Sequence, residues 1–177
     1  MRLFIAAELP EEITDALAET SALLRAHVRG RYVAPDSFHV TLAFLGDIEG
    51  ARVERAISAI DRGCREATAF AVELGDLGSF GRRSKATLWQ GFRDPGALPA
   101  IAESMRDELS ACGFAFDEKP FRAHITLMRA ADLTSGALPS PSIAKGEIDS
   151  ITLFKSDLSG ARPVYEPLHI CQLGRLR

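Results

Sequence analysis

Signatures of the common metal and cofactor enzymes are missing from this sequence. Its three cysteines, Cys64, Cys112 and Cys171, are odd in number and show no CxxC spacing. That excludes a disulfide framework or a thiolate zinc site and leaves reduced, buried thiols as the expectation. Neither GxxxxGK[ST] nor GxGxxG occurs, so no glycine loop is on hand to cradle a nucleoside triphosphate or a dinucleotide. There is no HExxH and no HD dipeptide. No apolar run approaches the ~18 to 20 residues of a membrane span, and the opening MRLFIAAELP has too short an apolar stretch for a secretory leader, so a cytoplasmic protein off the membrane is the expectation. Lys and Arg number 21 against 24 Asp and Glu, a formal net charge of -3, so the chain lacks the overall basic footprint of a protein that coats long nucleic acid. Any phosphate binding has to be local.

With 177 residues, 46% hydrophobic and 25% charged, what is present has the make-up of one globular domain large enough to hold a core without staples. Residues 3 to 9 read as a buried strand, followed by a helix from Pro10 to about Val28 with Glu11, Glu12 and Asp15 in its first turn. Phe38, Val40, Leu42 and Phe44 alternate with His39, Thr41 and Ala43 as one greasy-faced strand, and Val53, Ile57 and Ile60 mark a second helix over about 51 to 64. Strands at 68 to 80 and 86 to 92 flank a basic turn, and a third helix runs from Leu98 to about Ala111 with Gly113 as its stop. Alternation returns at 121 to 130, a Ser/Pro/Gly-rich loop covers 132 to 142, and two last strands span about 147 to 157 and 164 to 173. The order is not strictly βαβ, which favours an α+β fold with antiparallel or mixed sheets.

The informative feature is a repeated tetrapeptide, HVTL at 39 to 42 and HITL at 124 to 127, in a chain with only four histidines. Coincidence is a poor explanation; an internal duplication, each half contributing one such strand, is a better one. A period of two puts His39 and Thr41 on one strand face and His124 and Thr126 on the other strand's equivalent face, with the apolar partners turned to the core. Two His/Thr pairs facing across a cleft suit a phosphodiester, because one imidazole takes a proton from an attacking water while the other protonates the departing oxygen, and the hydroxyls hold the non-bridging oxygens. Sequence symmetry leaves open which histidine does which. A metal site is disfavoured, since neither motif carries an adjacent carboxylate and threonine is a poor ligand for soft or borderline ions. No metal and no cofactor are therefore expected. His169, with no threonine two residues on, is assigned to structure, and His27, near the end of the first helix, is read as capping its last carbonyls or as solvated. The same two pairs also allow a non-catalytic module that merely holds an RNA end. Arg82, Arg83 and Lys85, with Lys119, Arg122 and Arg129, are candidates for a rim that tracks phosphates.

These motifs resemble those of the 2H phosphoesterase superfamily, and within it the RNA 2′,3′-cyclic phosphodiesterase family, also called 2′-5′ RNA ligases. The resemblance covers essentially the whole chain: MRLFIAAELP looks like the family's first strand, RYVAPDSFHVTLAFLG and PFRAHITLMRA like its two histidine motifs, and FKSDLSGARPVYEPL like its C-terminal hairpin. It implies an α+β, bilobal 2H phosphoesterase-like fold, with residues 1–177 forming a single domain of two interleaved, pseudo-symmetric lobes, outer helices and a central cleft. It further implies metal-independent hydrolysis of 2′,3′-cyclic phosphates on RNA ends or nucleotides to 2′-phosphomonoesters by a monomer, reversible as 2′-5′ ligation. His39 would be the proton donor and His124 the acceptor, with Thr41, Thr126 and Arg129 binding the phosphate. Strict alternation, however, puts Arg129 on the face opposite His124 and Arg122 on the histidine face, so Arg129 needs a strand end or a bulge to reach the cleft.

Overall fold

The structure is a computed structural model that describes residues 1–116, 119–160 and 162–175. Where the apolar periodicity is strong the elements follow it. Strand β1 (Arg2–Ala7) leads through Pro10 into helix α1 (Glu11–Arg25), whose Ile13, Leu17 and Leu24 are fully buried and whose Glu11, Glu12 and Arg25 complement the helix dipole. The strand β2 (Arg29–Tyr32) and a 3-10 turn over Pro35–Ser37 precede β3 (Val40–Asp47), α2 (Val53–Gly63), β4 (Phe70–Phe80), β5 (Ala86–Asp94) and α3 (Leu98–Ala111). The chain continues through β6 (His124–Asp132), β7 (Lys145–Ile148), β8 (Ser150–Asp157) and β9 (Val164–Gln172). Gly113, at φ 71°, ends α3 in the left-handed conformation that a side chain would resist.

All strands pair antiparallel, in a four-stranded sheet of order β3-β1-β8-β9 and a five-stranded sheet of order β2-β6-β5-β4-β7. The α+β expectation with antiparallel sheets holds. Each sheet carries one copy of the repeat, β3 in the first and β6 in the second. Helices α1 and α3 cross over. Helix α1 follows a strand of the four-stranded sheet but packs on β7 of the five-stranded one, and α3 follows β5 of the five-stranded sheet but packs on β3 and α2. Polar ties reinforce the first crossing: the buried Gln90 amide donates to the Ser142 carbonyl at 2.9 Å, while the Ser142 N–H donates to Thr20 Oγ1 of α1 at 2.9 Å.

Two elements differ from the sequence reading. β2 has no apolar run to announce it; its Gly30 lies so close to β6 that a Cβ would sit 3.0 Å from Ala131 Cα, which is why an exposed, polar segment can still pair there. The single strand expected over 147 to 157 is two strands, because Ile148 pairs with Phe70 in one sheet while Ser150 pairs with Gln172 in the other. The switch takes one residue, Asp149, whose carbonyl accepts from Leu173 N–H at 2.7 Å and Gln172 Nε2 at 2.9 Å. It lets Ile148 and Ile151, three apart and so on opposite faces of any continuous strand, both bury completely.

Candidate active site

A cavity of about 550 Å³ opens between the sheets, and His39, Thr41, His124, Thr126 and Arg129 all line it. Both histidines are held the same way. The Nδ1–H of His39 donates to the Ser37 carbonyl at 2.8 Å, and that of His124 to the Arg122 carbonyl at 2.7 Å, each two residues back along its own chain. A carbonyl can only accept, so Nδ1 carries the proton in both rings and Nε2 is the reactive nitrogen. In the neutral state the Thr41 hydroxyl donates to His39 Nε2 at 3.1 Å.

Aromatic walls fix the rings. His39 packs against Phe4 of β1 and Tyr165 of β9, with centroids 5.0 and 5.4 Å away. His124 packs against Phe80 of β4 and Trp89 of β5, at 5.0 and 5.8 Å. Burial among these rings disfavours the imidazolium and pushes His39 down to about 4, with the charges of Arg129 and His124 adding to the effect and the Ser37 bond opposing it. His124 is also lowered, again chiefly by burial, with Arg122 and Arg129 contributing and the bond to the Arg122 carbonyl opposing. Both rings are therefore neutral in the free protein at neutral pH.

Arg129 reaches the cavity because β6 is out of phase with its neighbour. Thr126 pairs with Trp89 and Met128 with the next residue, Leu88, so β6 holds one residue more than β5 at that point. Leu127 and Met128 both turn inward and are fully buried, and Arg129 returns to the face that Thr126 occupies. A second irregularity follows at Ala130, whose φ of 51° is positive. Arg122, which alternation alone puts on the histidine face, lies outside this cavity with its guanidinium 5.2 Å above the Trp89 ring. Arg83, from the candidate rim, is a tie within the fold instead, donating to the Leu133 carbonyl. His169 does not line the cavity and is bonded through Nε2 to Asp61 at 2.7 Å, and His27 is exposed.

Among the lining residues that escaped the sequence reading as site residues are Arg31, Tyr32, Arg162 and Tyr165. Tyr32 presents its ring, since its hydroxyl donates back to the Val28 carbonyl at 2.9 Å and Arg25 covers it at 4.2 Å. Arg31, Arg129 and Arg162 against the lone acid Asp36 make the cavity wall cationic on a chain of net charge -3. An anion is what such a wall attracts. All three cysteines are free, and among the described residues no group of three or more His, Cys, Asp or Glu is placed to hold a metal. No helix among them is long and apolar enough to cross a membrane.

Comparison with known proteins places these features in context. The family described as LigT like phosphoesterase matches residues 7–89 and 94–165. The RNA 2′,3′-cyclic phosphodiesterase of Escherichia coli K12 is 33% identical over 94% of this chain and 93% of its own length, and that of Thermotoga maritima 28% identical over 97% and 95%. Among solved structures, a Thermus thermophilus protein superposes over the whole of both chains with a TM-score of 0.85 at 27% identity. E. coli LigT complexed with 3′-AMP does so over 97% of each chain with a TM-score of 0.81 at 30% identity.

Proposed function

This chain belongs to the LigT-like phosphoesterase family and is an RNA 2′,3′-cyclic phosphodiesterase; on that premise we propose that His39 and His124 perform the chemistry as a general acid and a general base. It is an enzyme, not only a holder of RNA ends. The observation that carries the assignment is the pair of imidazoles in one cavity, each with Nδ1–H committed to a backbone carbonyl and Nε2 left to react. Water on the His124 side loses a proton to Nε2 as its oxygen bonds to phosphorus; the bond from phosphorus to O3′ breaks in line, and O3′ takes the proton from His39 Nε2. The product is a 2′-phosphomonoester. Thr41 and Thr126 hydroxyls and the Arg129 guanidinium bind the non-bridging oxygens, whose charge grows in the transition state. No metal is required by this scheme.

Neutral rings in the free cavity mean that the acid is loaded when substrate binds. A phosphodiester anion between the imidazoles favours the imidazolium and raises both pKa values. The pH optimum of kcat, which reports the bound state, accordingly lies above that of kcat/KM, which reports the free one.

Replacement of each histidine tests the roles. His39→Ala and His124→Ala each lower turnover of a cyclic nucleotide by ~10²- to 10⁴-fold, the scale of acid/base catalysis. A phosphodiester with a p-nitrophenolate leaving group, which departs without a proton, restores activity to His39→Ala and not to His124→Ala. Restoration of the other variant, or a 3′-phosphate as the main product, reverses the assignment.

A further inference from the structure

Three arginines line the catalytic cavity, and the cyclic phosphate accounts for one of them, Arg129. The other two are Arg31 on β2 and Arg162 in the turn between β8 and β9. Those elements belong to different sheets, so the two side chains approach the cavity from both halves of the molecule. Arg31 stands directly opposite Arg129 in the β2–β6 pairing. At such a position the Cβ atoms are only ~4.5 to 5.5 Å apart, and like charges are destabilising. Neither Arg31 nor Arg162 makes an ion pair among the described residues, whereas the exposed Arg93 pairs with Glu73 at 2.8 Å. Asp36, the carboxylate of the wall, accepts instead from Ser37 Oγ at 3.1 Å. The fold therefore sustains repulsion beside the reacting centre with no partner among the described residues to offset it.

From this surplus we infer that Arg31 and Arg162 form a second phosphate subsite, which holds a phosphate on the 5′-oxygen of the nucleotide that carries the cyclic phosphate. That phosphate is either the linkage to the rest of an RNA or the 5′-phosphate of a free nucleotide. The inference rests on the reading of Arg129 as the ligand of the cyclic phosphate.

Charge complementarity carries it. Both imidazoles are neutral in the free protein, so three arginines and Asp36 give the wall two net positive charges. A 2′,3′-cyclic phosphodiester brings one negative charge. A second anion on the same ligand restores the balance, and the nearest position for it outside the reacting ring is the 5′-oxygen of the same ribose. Guanidinium suits the task, because its forked N–H donors match a pair of phosphate oxygens. Arg31 and Arg162 are both exposed, so a chain attached to that phosphate continues into solvent without threading the cavity.

The test measures kcat/KM of the full chain on 2′,3′-cyclic AMP, on its 5′-phosphorylated form, and on the dinucleotide ApA ending in a 2′,3′-cyclic phosphate. A second phosphate improves kcat/KM about tenfold, the scale of one charge-assisted hydrogen bond, and the gain lies in KM. Whichever of the two forms gains more names the source of the phosphate. Rising salt erodes the gain, because the contact is ionic and exposed. Arg31→Gln and Arg162→Gln each shrink the ratio between the doubly phosphorylated substrate and cyclic AMP, and Arg31→Lys keeps part of it. Replacing the ApA linkage with an uncharged methylphosphonate removes whatever gain that dinucleotide shows. Equal kcat/KM on all three substrates, a ratio untouched by both substitutions, or a gain that survives the methylphosphonate overturns the subsite. So does a loss in Arg31→Gln that is the same with and without the second phosphate, which makes Arg31 another ligand of the cyclic phosphate. Failure of the underlying reading shows separately, as full turnover of cyclic AMP by Arg129→Gln.

Discussion

His39 carries two burdens that pull against each other. Its neighbours Phe4 and Tyr165 and its hydrogen bonds hold it for chemistry, and the same enclosure makes its protonation unfavourable. An unfolded histidine titrates near about 6.5, whereas His39 in the fold sits at about 4. Between those values the unfolded chain binds a proton that the folded chain refuses. The stability from keeping His39 neutral is thus complete above about pH 6.5 and is lost as pH falls towards 4, by ~3 kcal/mol at most. Urea midpoints of the wild type and His39→Gln, compared across that range, diverge towards acid with the wild type falling faster; carboxylates common to both cancel, and parallel curves contradict the account. At this scale the sequence was informative wherever a residue repeats, since two HxT pairs with period-two faces suffice to choose His39, Thr41, His124 and Thr126. Arg162 and Tyr165 were illegible as wall residues because only the order β3-β1-β8-β9 brings them to His39.

Elements with a strong apolar period were readable, as α1, α2, α3, β1, β4 and β5 show. Short or polar strands paired at a sheet edge, β2 and β7, were not. The position of Arg129 is the instructive case. Alternation alone sends it to the core side, yet the adjacent apolar pair Leu127-Met128 is the trace a phase slip leaves in a sequence, because both residues need burial. The slip ends at Ala130 with φ 51°, where an L side chain costs ~1 to 2 kcal/mol that glycine does not incur. Ala130→Gly therefore raises the urea midpoint by an amount equivalent to about 1 kcal/mol, and Ala130→Val lowers it, since β-branched residues tolerate positive φ least. Equal stability for all three chains refutes strain at this position.

At the scale of the molecule, the helices crossing between sheets, the Asp149 switch and the Gln90-Ser142-Thr20 tie join the two halves more closely than a linker would. Neither sheet can lose its partner without exposing the apolar face of a helix. Unfolding is accordingly one transition: Trp89 emission, which reports the five-stranded sheet, and far-UV circular dichroism, which reports the whole chain, trace the same urea curve. Separated curves refute a single cooperative unit. This interlock was beyond the reach of sequence, because the duplicated tetrapeptide points to two halves and gives no hint that α1 and α3 each pack against the sheet their preceding strand does not belong to.

The strand order also sets a schedule for biosynthesis. His39 and its strand leave the ribosome early, but the β8 and β9 strands that extend their sheet, and Tyr165 against the imidazole, lie at residues 150 to 172. A nascent chain that already displays both histidine motifs still has no walled pocket for the first of them. The cavity around His39 is therefore complete only when that last hairpin has been translated, and a growing chain carries both histidine motifs before it has the pocket that encloses the first of them.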